Sequence, residues 1–142
     1  MIQDTDATTL IRKQYEAWAE ALRTHDFQWL EDNLADDYQF SARPHPELRL
    51  NKAEFIEADK KIQSADIRLI VVKAERIGDE ILSIAVADVA EQFVGDMGAH
   101  MPSLGEINEL VGNNRLGYAS AWRQHGERWQ CYHHHMVGVV GR

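Results

Sequence analysis

Apolar residues recur at Ile11, Tyr15, Trp18 and Leu22, at spacings of four, three and four. That is the period of a helix buried along one stripe, and Arg12, Lys13, Glu16, Glu20 and Arg23 fall largely off it. Thr24, His25 and Asp26 break the pattern, and Asp26 can cap a second helix carrying Phe27, Leu30 and Leu34. Tyr38 to Ala42 reads as a short strand and Arg43-Pro44-His45-Pro46 as a loop. Asn51 followed by Glu54 fits a capping box, which predicts a third helix to about Gln63 burying Phe55, Ile56 and Ile62. From Asp66 the period becomes two. Ile67–Arg76 and Glu80–Val94 read as strands turning at Gly78-Asp79, and Arg115–Arg123 and Arg128–Val140 as a closing hairpin turning at His125-Gly126. Between them, Gly95–Asn114 reads as a long loop with a helical turn near Leu104–Leu110. Helices first and antiparallel strands afterwards define an α+β domain, read here as one domain over 1–142. Long curved strands around a few helices leave a cone whose open end is a natural small-molecule pocket.

Composition narrows the partners. The chain of 142 residues carries 15 Lys+Arg against 23 Asp+Glu, a formal charge of −8. That balance argues against nucleic acid and against an anionic membrane surface. No apolar run approaches a membrane span, and the start MIQDTDATTL lacks the basic and apolar parts of a signal peptide, so a cytoplasmic location is expected. The single Cys131 excludes an intrachain disulfide framework. A glycine-rich phosphate loop, a G-x-S-x-G elbow and a C-x-x-C pair are all missing from the sequence, which disfavours nucleotide cofactors and serine hydrolysis.

The segment YASAWRQHGERWQCYHHHMV resembles the closing hairpin of the SnoaL-like branch of the nuclear transport factor 2-like superfamily. Upstream, QYEAWAEALRTHDFQWLEDNLADDYQF is similar to the opening helices of that branch, and RLNKAEFIEA to its third helix, with Asn51 in place of the usual glycine. The resemblance implies a cone-shaped curved antiparallel sheet wrapped around about three N-terminal helices. It spans ketosteroid isomerases, dehydratases, polyketide cyclases, hydrolases, lyases and non-catalytic binding domains, so it leaves function open. Carried over by position, the ketosteroid isomerase base falls at Ala42, its oxyanion tyrosine near Trp18 and its protonated aspartate near Ala119. The tyrosine–aspartate pair of scytalone dehydratases falls near Leu22 and Arg23, and their catalytic histidine near Arg115. None of these groups is kept.

Candidate chemistry gathers on the last strands. Strand alternation puts Tyr132, His134 and Met136 on one face and Trp129, Cys131, His133 and His135 on the other. The resemblance points the Tyr132 face inward. It likewise puts Arg115, Gly117, Ala119 and Ala121 inside, and Tyr118, Ser120 and Trp122 outside. Asp88 shares its face with Leu82, Ile84, Val86, Ala90 and Gln92 and is expected in the core as an acid or base, or else paired with Arg115. The expected machinery is Asp88 and His134 exchanging protons, Tyr132 donating to oxyanion charge and Arg115 orienting the substrate. Trp18, Tyr38, Phe40 and Met136 would wall the substrate site. His133 and His135 could hold a metal only with a third ligand, for which His45, Asp88 and His100 are conceivable, so no metal and no cofactor are expected. The reading is a cofactor-independent isomerase, dehydratase or lyase acting on a hydrophobic small molecule; the alternative is a non-catalytic ligand-binding or oligomerisation module. A homodimer with Trp122 at or near its interface is expected from the aromatic face of its strand, and the resemblance also implies sheet-to-sheet dimers.

Overall fold

The computed structural model describes residues 4–141. The reading of the chain start rests partly on residues 1–3, which lie outside the described residues. Helix α1 (Asp4–Thr24) buries the predicted stripe of Ile11, Tyr15, Trp18 and Leu22. Asp26 caps α2 (Phe27–Asn33), its carboxylate accepting from the Trp29 N–H at 3.2 Å. β1 (Leu34–Ala42) follows. The expected proline loop is shorter than predicted, because β2 (His45–Asn51) begins within it and pairs antiparallel with β1. β2 is an edge strand, where Pro46 can lack an N–H without breaking an interior ladder.

Asn51 and Glu54 form the capping box, each side chain accepting from the other's backbone N–H at 2.9 Å. Helix α3 (Lys52–Asp59) stops at Asp59 rather than near Gln63, and β3 (Ile62–Ile77) starts earlier than its alternation suggests. β4 (Glu80–Phe93) returns through a turn in which Gly78 takes φ 61°, a conformation that suits glycine. The long 94–113 connection contains α4 (Leu104–Val111), capped by a Ser103–Glu106 box. β5 (Asn114–His125) and β6 (Arg128–Val139) close the fold.

The strands form one sheet in the order β2-β1-β6-β5-β4-β3, antiparallel throughout except where β1 meets β6. The result is the expected α+β cone, a curved sheet closed over the helices. α1 runs inside it. The Thr8 hydroxyl ties that helix to β3 by bonding both the N–H and the C=O of Ala74. Trp18 packs edge-on against Phe55 and Trp122, at 6.2 and 6.3 Å between ring centroids.

Three side-chain placements reverse the sequence expectation. On β4 the inward set is Ile81, Ser83, Ala85, Ala87, Val89, Glu91 and Phe93, while Leu82 and Ile84 are about half exposed and Asp88 lies with them outside. On β5 the inward set is Leu116, Tyr118, Ser120 and Trp122, so Arg115, Ala119 and Ala121 lie outside. Trp122 is fully buried within its own chain and cannot form an interface. On β6 the register jumps from Trp122↔Cys131 to Ala121↔His133, leaving Tyr132 as an extra residue in a bulge. The bulge reverses the alternation. Cys131 and His134 both face inward, and Tyr132 goes outside.

Candidate functional site

The cone holds a cavity of about 150 Å³. That volume suits a single small ring; apolar cavities of this size take up benzene. Its walls are apolar for reasons visible strand by strand. β1 and β2 contribute Phe40 and Leu48, α1 contributes Trp18, and β6 contributes Met136. β4 contributes the small Ala85 and Ala87, which leave the space unfilled. The segment after β4 forms another wall, through Met97, Met101 and the α4 residues Ile107, Leu110 and Val111. Asn108 anchors that helix by bonding both the N–H and the C=O of Phe93, at 2.8 and 3.0 Å.

Six polar side chains interrupt this lining: Tyr15, His45, Asp59, Glu91, Tyr118 and His134. Asp59 ends α3 on the same stripe as Phe55, and Glu91 sits on the inward face of β4. Both are buried, and Asp59 Oδ2 has no hydrogen-bond partner. Burial pushes the Glu91 carboxyl up to about 7. It pushes Asp59 well above the carboxylate range, and repulsion from Glu91 adds to that rise. Tyr118 is raised by burial and then by Glu91. His134 is held neutral, with burial lowering it to about 3. Its ring stacks on Tyr118 at 5.0 Å and 11°, and Nδ1 meets Ser120 Oγ at 2.7 Å. Among the described residues neither lysine nor arginine lines the cavity.

Solved structures with this architecture are close in shape and distant in sequence. An NTF2-like protein from Cytophaga hutchinsonii superposes with a TM-score of 0.72, at 16% identity over 92% of this chain and 97% of the other. The chain has the nuclear transport factor 2-like fold. Two Novosphingobium aromaticivorans structures share that fold. One is a candidate aromatic ring hydroxylase, with a TM-score of 0.73 and 15% identity over 96% of this chain and 92% of the other. The other is a candidate scytalone dehydratase, with a TM-score of 0.71 and 9% identity over 93% and 83%. No family model matches the sequence, and no curated protein matches it significantly.

Within the NTF2-like cone the sequence-predicted site divides in two. His134, Trp18, Phe40 and Met136 line the cavity. Tyr38 is buried behind it and does not line it, with its hydroxyl unpartnered. Asp88, Arg115 and Tyr132 are corrections. Asp88 sits on the outer face between its cross-strand neighbours Arg68 and Arg115, and Arg115 grips it with two bonds of 2.8 and 3.1 Å. Those guanidiniums hold its carboxyl well below the usual range. Arg115 is thereby occupied and has no substrate to orient. Tyr132 bonds Glu80 and lies under the Arg123 guanidinium, 4.5 Å from its ring centroid. Asp88 and His134 therefore occupy opposite faces of the sheet.

His133 and His135 also lie outside, sharing Ser41 Oγ at 3.3 and 2.7 Å. Among the described residues no group of three His, Cys, Asp or Glu side chains could hold a metal ion. No helix among them is long and apolar enough to cross a membrane. Sequence reasoning missed Asp59 and Glu91. A signal for Asp59 was present: it follows Phe55 by four residues, which puts a carboxyl on a buried helical stripe.

Proposed function

We propose that the cavity binds an apolar, ring-sized small molecule and that Glu91 and Asp59 move protons to and from it. The chemistry is cofactor-independent isomerisation, dehydration or lyase cleavage. One observation carries this reading: two buried carboxyls line an apolar cavity to which no lysine or arginine among the described residues contributes. A fold gains nothing in stability from such an arrangement, because each carboxyl loses water and receives no counter-ion. Burial disfavours the charge on both acids and Glu91 disfavours it further on Asp59, so near neutral pH Asp59 keeps its proton while Glu91 can give its own up. The carboxylate takes a proton from one substrate atom and the acid returns one to another. Dehydration, the activity named for one Novosphingobium neighbour, is within the reach of such a pair. A non-catalytic binding module would use the same walls but has no need of the acids.

The test needs no natural substrate. Ring-sized carbon acids in D2O, followed by proton NMR, should take up deuterium faster with the protein than with buffer. Glu91→Gln should lose ~10²–10⁴ of that rate. Ligand binding with exchange no faster than buffer would leave the non-catalytic module instead. A homodimer is proposed as well, with its contact moved from Trp122 to the exposed Leu82 and Ile84. Sedimentation should then show dimers that Leu82→Lys with Ile84→Lys dissociates, and a monomeric unmodified chain would remove the proposal.

A further inference from the structure

A chain of buried hydrogen bonds fixes what His134 can offer a ligand. The chain starts at Trp122, whose indole N–H can only donate, and it donates to Ser83 Oγ at 2.9 Å. Ser83 Oγ lies 2.9 Å from the Tyr15 hydroxyl, and that hydroxyl donates to Ser120 Oγ at 2.8 Å. Tyr15 has one hydroxyl hydrogen and gives it to Ser120; Ser83 has one too, shared between the Tyr15 oxygen and the Ser120 carbonyl at 3.4 Å, and neither choice alters what Ser120 receives. Ser120 also has one, and the acceptor left for it is His134 Nδ1, 2.7 Å away. All five side chains are buried, which leaves no bulk water to reverse the order. Nδ1 is thus an acceptor, and the single hydrogen of a neutral imidazole must sit on Nε2. Nε2 has no partner among the described residues, and the ring that carries it lines the cavity. Stacking on Tyr118 and contact with Trp18, at 4.7 Å between centroids, hold the ring in place.

We propose that His134 is a fixed neutral N–H donor in the cavity wall and that the ligand presents a carbonyl oxygen to it. Anionic ligands are excluded by Asp59 and Glu91 and by the lack of a lining lysine or arginine. What remains is a neutral acceptor on an apolar, ring-sized body. A carbonyl fits best because of the chemistry assigned to Glu91, and in this the inference rests on the proposed function. Glu91 carboxylate takes a proton from the carbon beside the carbonyl. The C–H electrons form a C=C bond, and the carbonyl π pair moves onto oxygen as an enolate. The Nε2–H meets that growing charge without transferring its own proton. Return of a proton from the carboxyl pair restores the carbonyl. His134 is therefore an electrophilic donor rather than a proton exchanger, in keeping with the burial that holds it neutral.

Nitrogen NMR of histidine-labelled protein tests the tautomer directly, with His134→Gln identifying the signal. Expected are an unprotonated Nδ1 and a protonated Nε2, unchanged from pH 5 to 8. A protonated Nδ1, or titration within that range, overturns the proposal. Ser120→Ala should let the two tautomers mix. For the ligand, cyclohexanone should bind about 3–10-fold tighter than methylenecyclohexane, and His134→Phe should abolish the difference. Equal affinities, or no binding of the ketone, overturn the carbonyl assignment. Glu91→Gln separates the two ideas, because tautomer and ketone preference should persist there even when proton exchange is lost.

Discussion

The two faces of the sheet carry the same kinds of side chain under opposite rules. Outside, acids are paired. Asp88 sits between Arg68 and Arg115, Asp37 bonds Arg123, and Tyr132 bonds Glu80. Inside, Asp59 and Glu91 meet no cation, and His134 is neutral. The outer pairs hold Asp88 and Asp37 ionised, and their proton affinity falls too low for proton transfer near neutral pH. The inner groups are costly where they stand, and that cost sets Glu91 near 7. A titratable residue type therefore says little about its role until its face is known.

The largest effect should come from breaking the inner pair. Glu91→Gln and Asp59→Asn each preserve shape and remove a proton site, so each should slow deuterium exchange by ~10²–10⁴. The double variant should lose less than the product, because the two act as a unit. Full additivity would mean that the carboxyls work separately.

The same change should raise stability. Glu91 holds its proton to about 7 when folded and only to about 4.5 when unfolded. Its contribution to stability is complete below pH 4.5 and is lost as pH rises to 7. The loss is about 3 kcal/mol at most. Glu91→Gln should therefore be more stable than the parent at pH 8 and equal to it at pH 4, by urea unfolding. His134 works in the other direction. Lowered from 6.5 to about 3, its contribution is complete above pH 6.5 and is lost as pH falls. The two slopes oppose each other between about pH 4.5 and 6.5, and Glu91→Gln should expose the His134 slope there. A variant no more stable than the parent at pH 8 would show that Glu91 has a partner.

The helices, the capping box and both hairpin turns were legible because each rests on local chemistry within a few residues. So was the cavity wall, through Trp18, Phe40 and Met136. The facing of β4 and β5 was not. In the 82–87 stretch of β4 the outer residues Leu82, Ile84 and Val86 are larger and more apolar than the inner Ser83, Ala85 and Ala87, although Ile81, Val89 and Phe93 also face inward, and Glu91 takes a further inner position. Small residues leave room for the cavity, and the polar ones furnish it, so the usual rule of apolar-inside points the wrong way. On β6 the bulge at Tyr132 shifts alternation by one residue, and nothing in the run of three histidines announces it. His134 came out correctly placed and Tyr132 did not, although the two share a parity.

A smaller effect should come from Tyr38. Its hydroxyl is buried without a partner, and its ring lies behind the cavity wall. Tyr38→Phe removes a desolvated polar group and leaves the packing against Phe55, at 5.1 Å, in place. Stability should rise by about 1 kcal/mol, with ligand affinity unchanged. A loss of affinity would return Tyr38 to the substrate site.

The smallest effect should come from Asp88, the carboxylate whose sequence surroundings look most like those of a buried base. Asp88→Asn removes a charge held between two guanidiniums on a face open to solvent, where ion pairs are screened and contribute little. Deuterium exchange should be unchanged, because the residue is across the sheet from His134 and absent from the cavity lining. Its acid sensitivity gives a second readout. Asp88 has a depressed carboxyl, so its contribution is present above the unfolded carboxylate range and is lost as pH falls through the folded one. The parent and Asp88→Asn should therefore converge in strong acid and differ slightly at neutral pH, and added salt should shrink that difference. An exchange rate that fell with Asp88→Asn while Glu91→Gln stayed active would exchange the roles of the two faces and put the chemistry on the outer sheet.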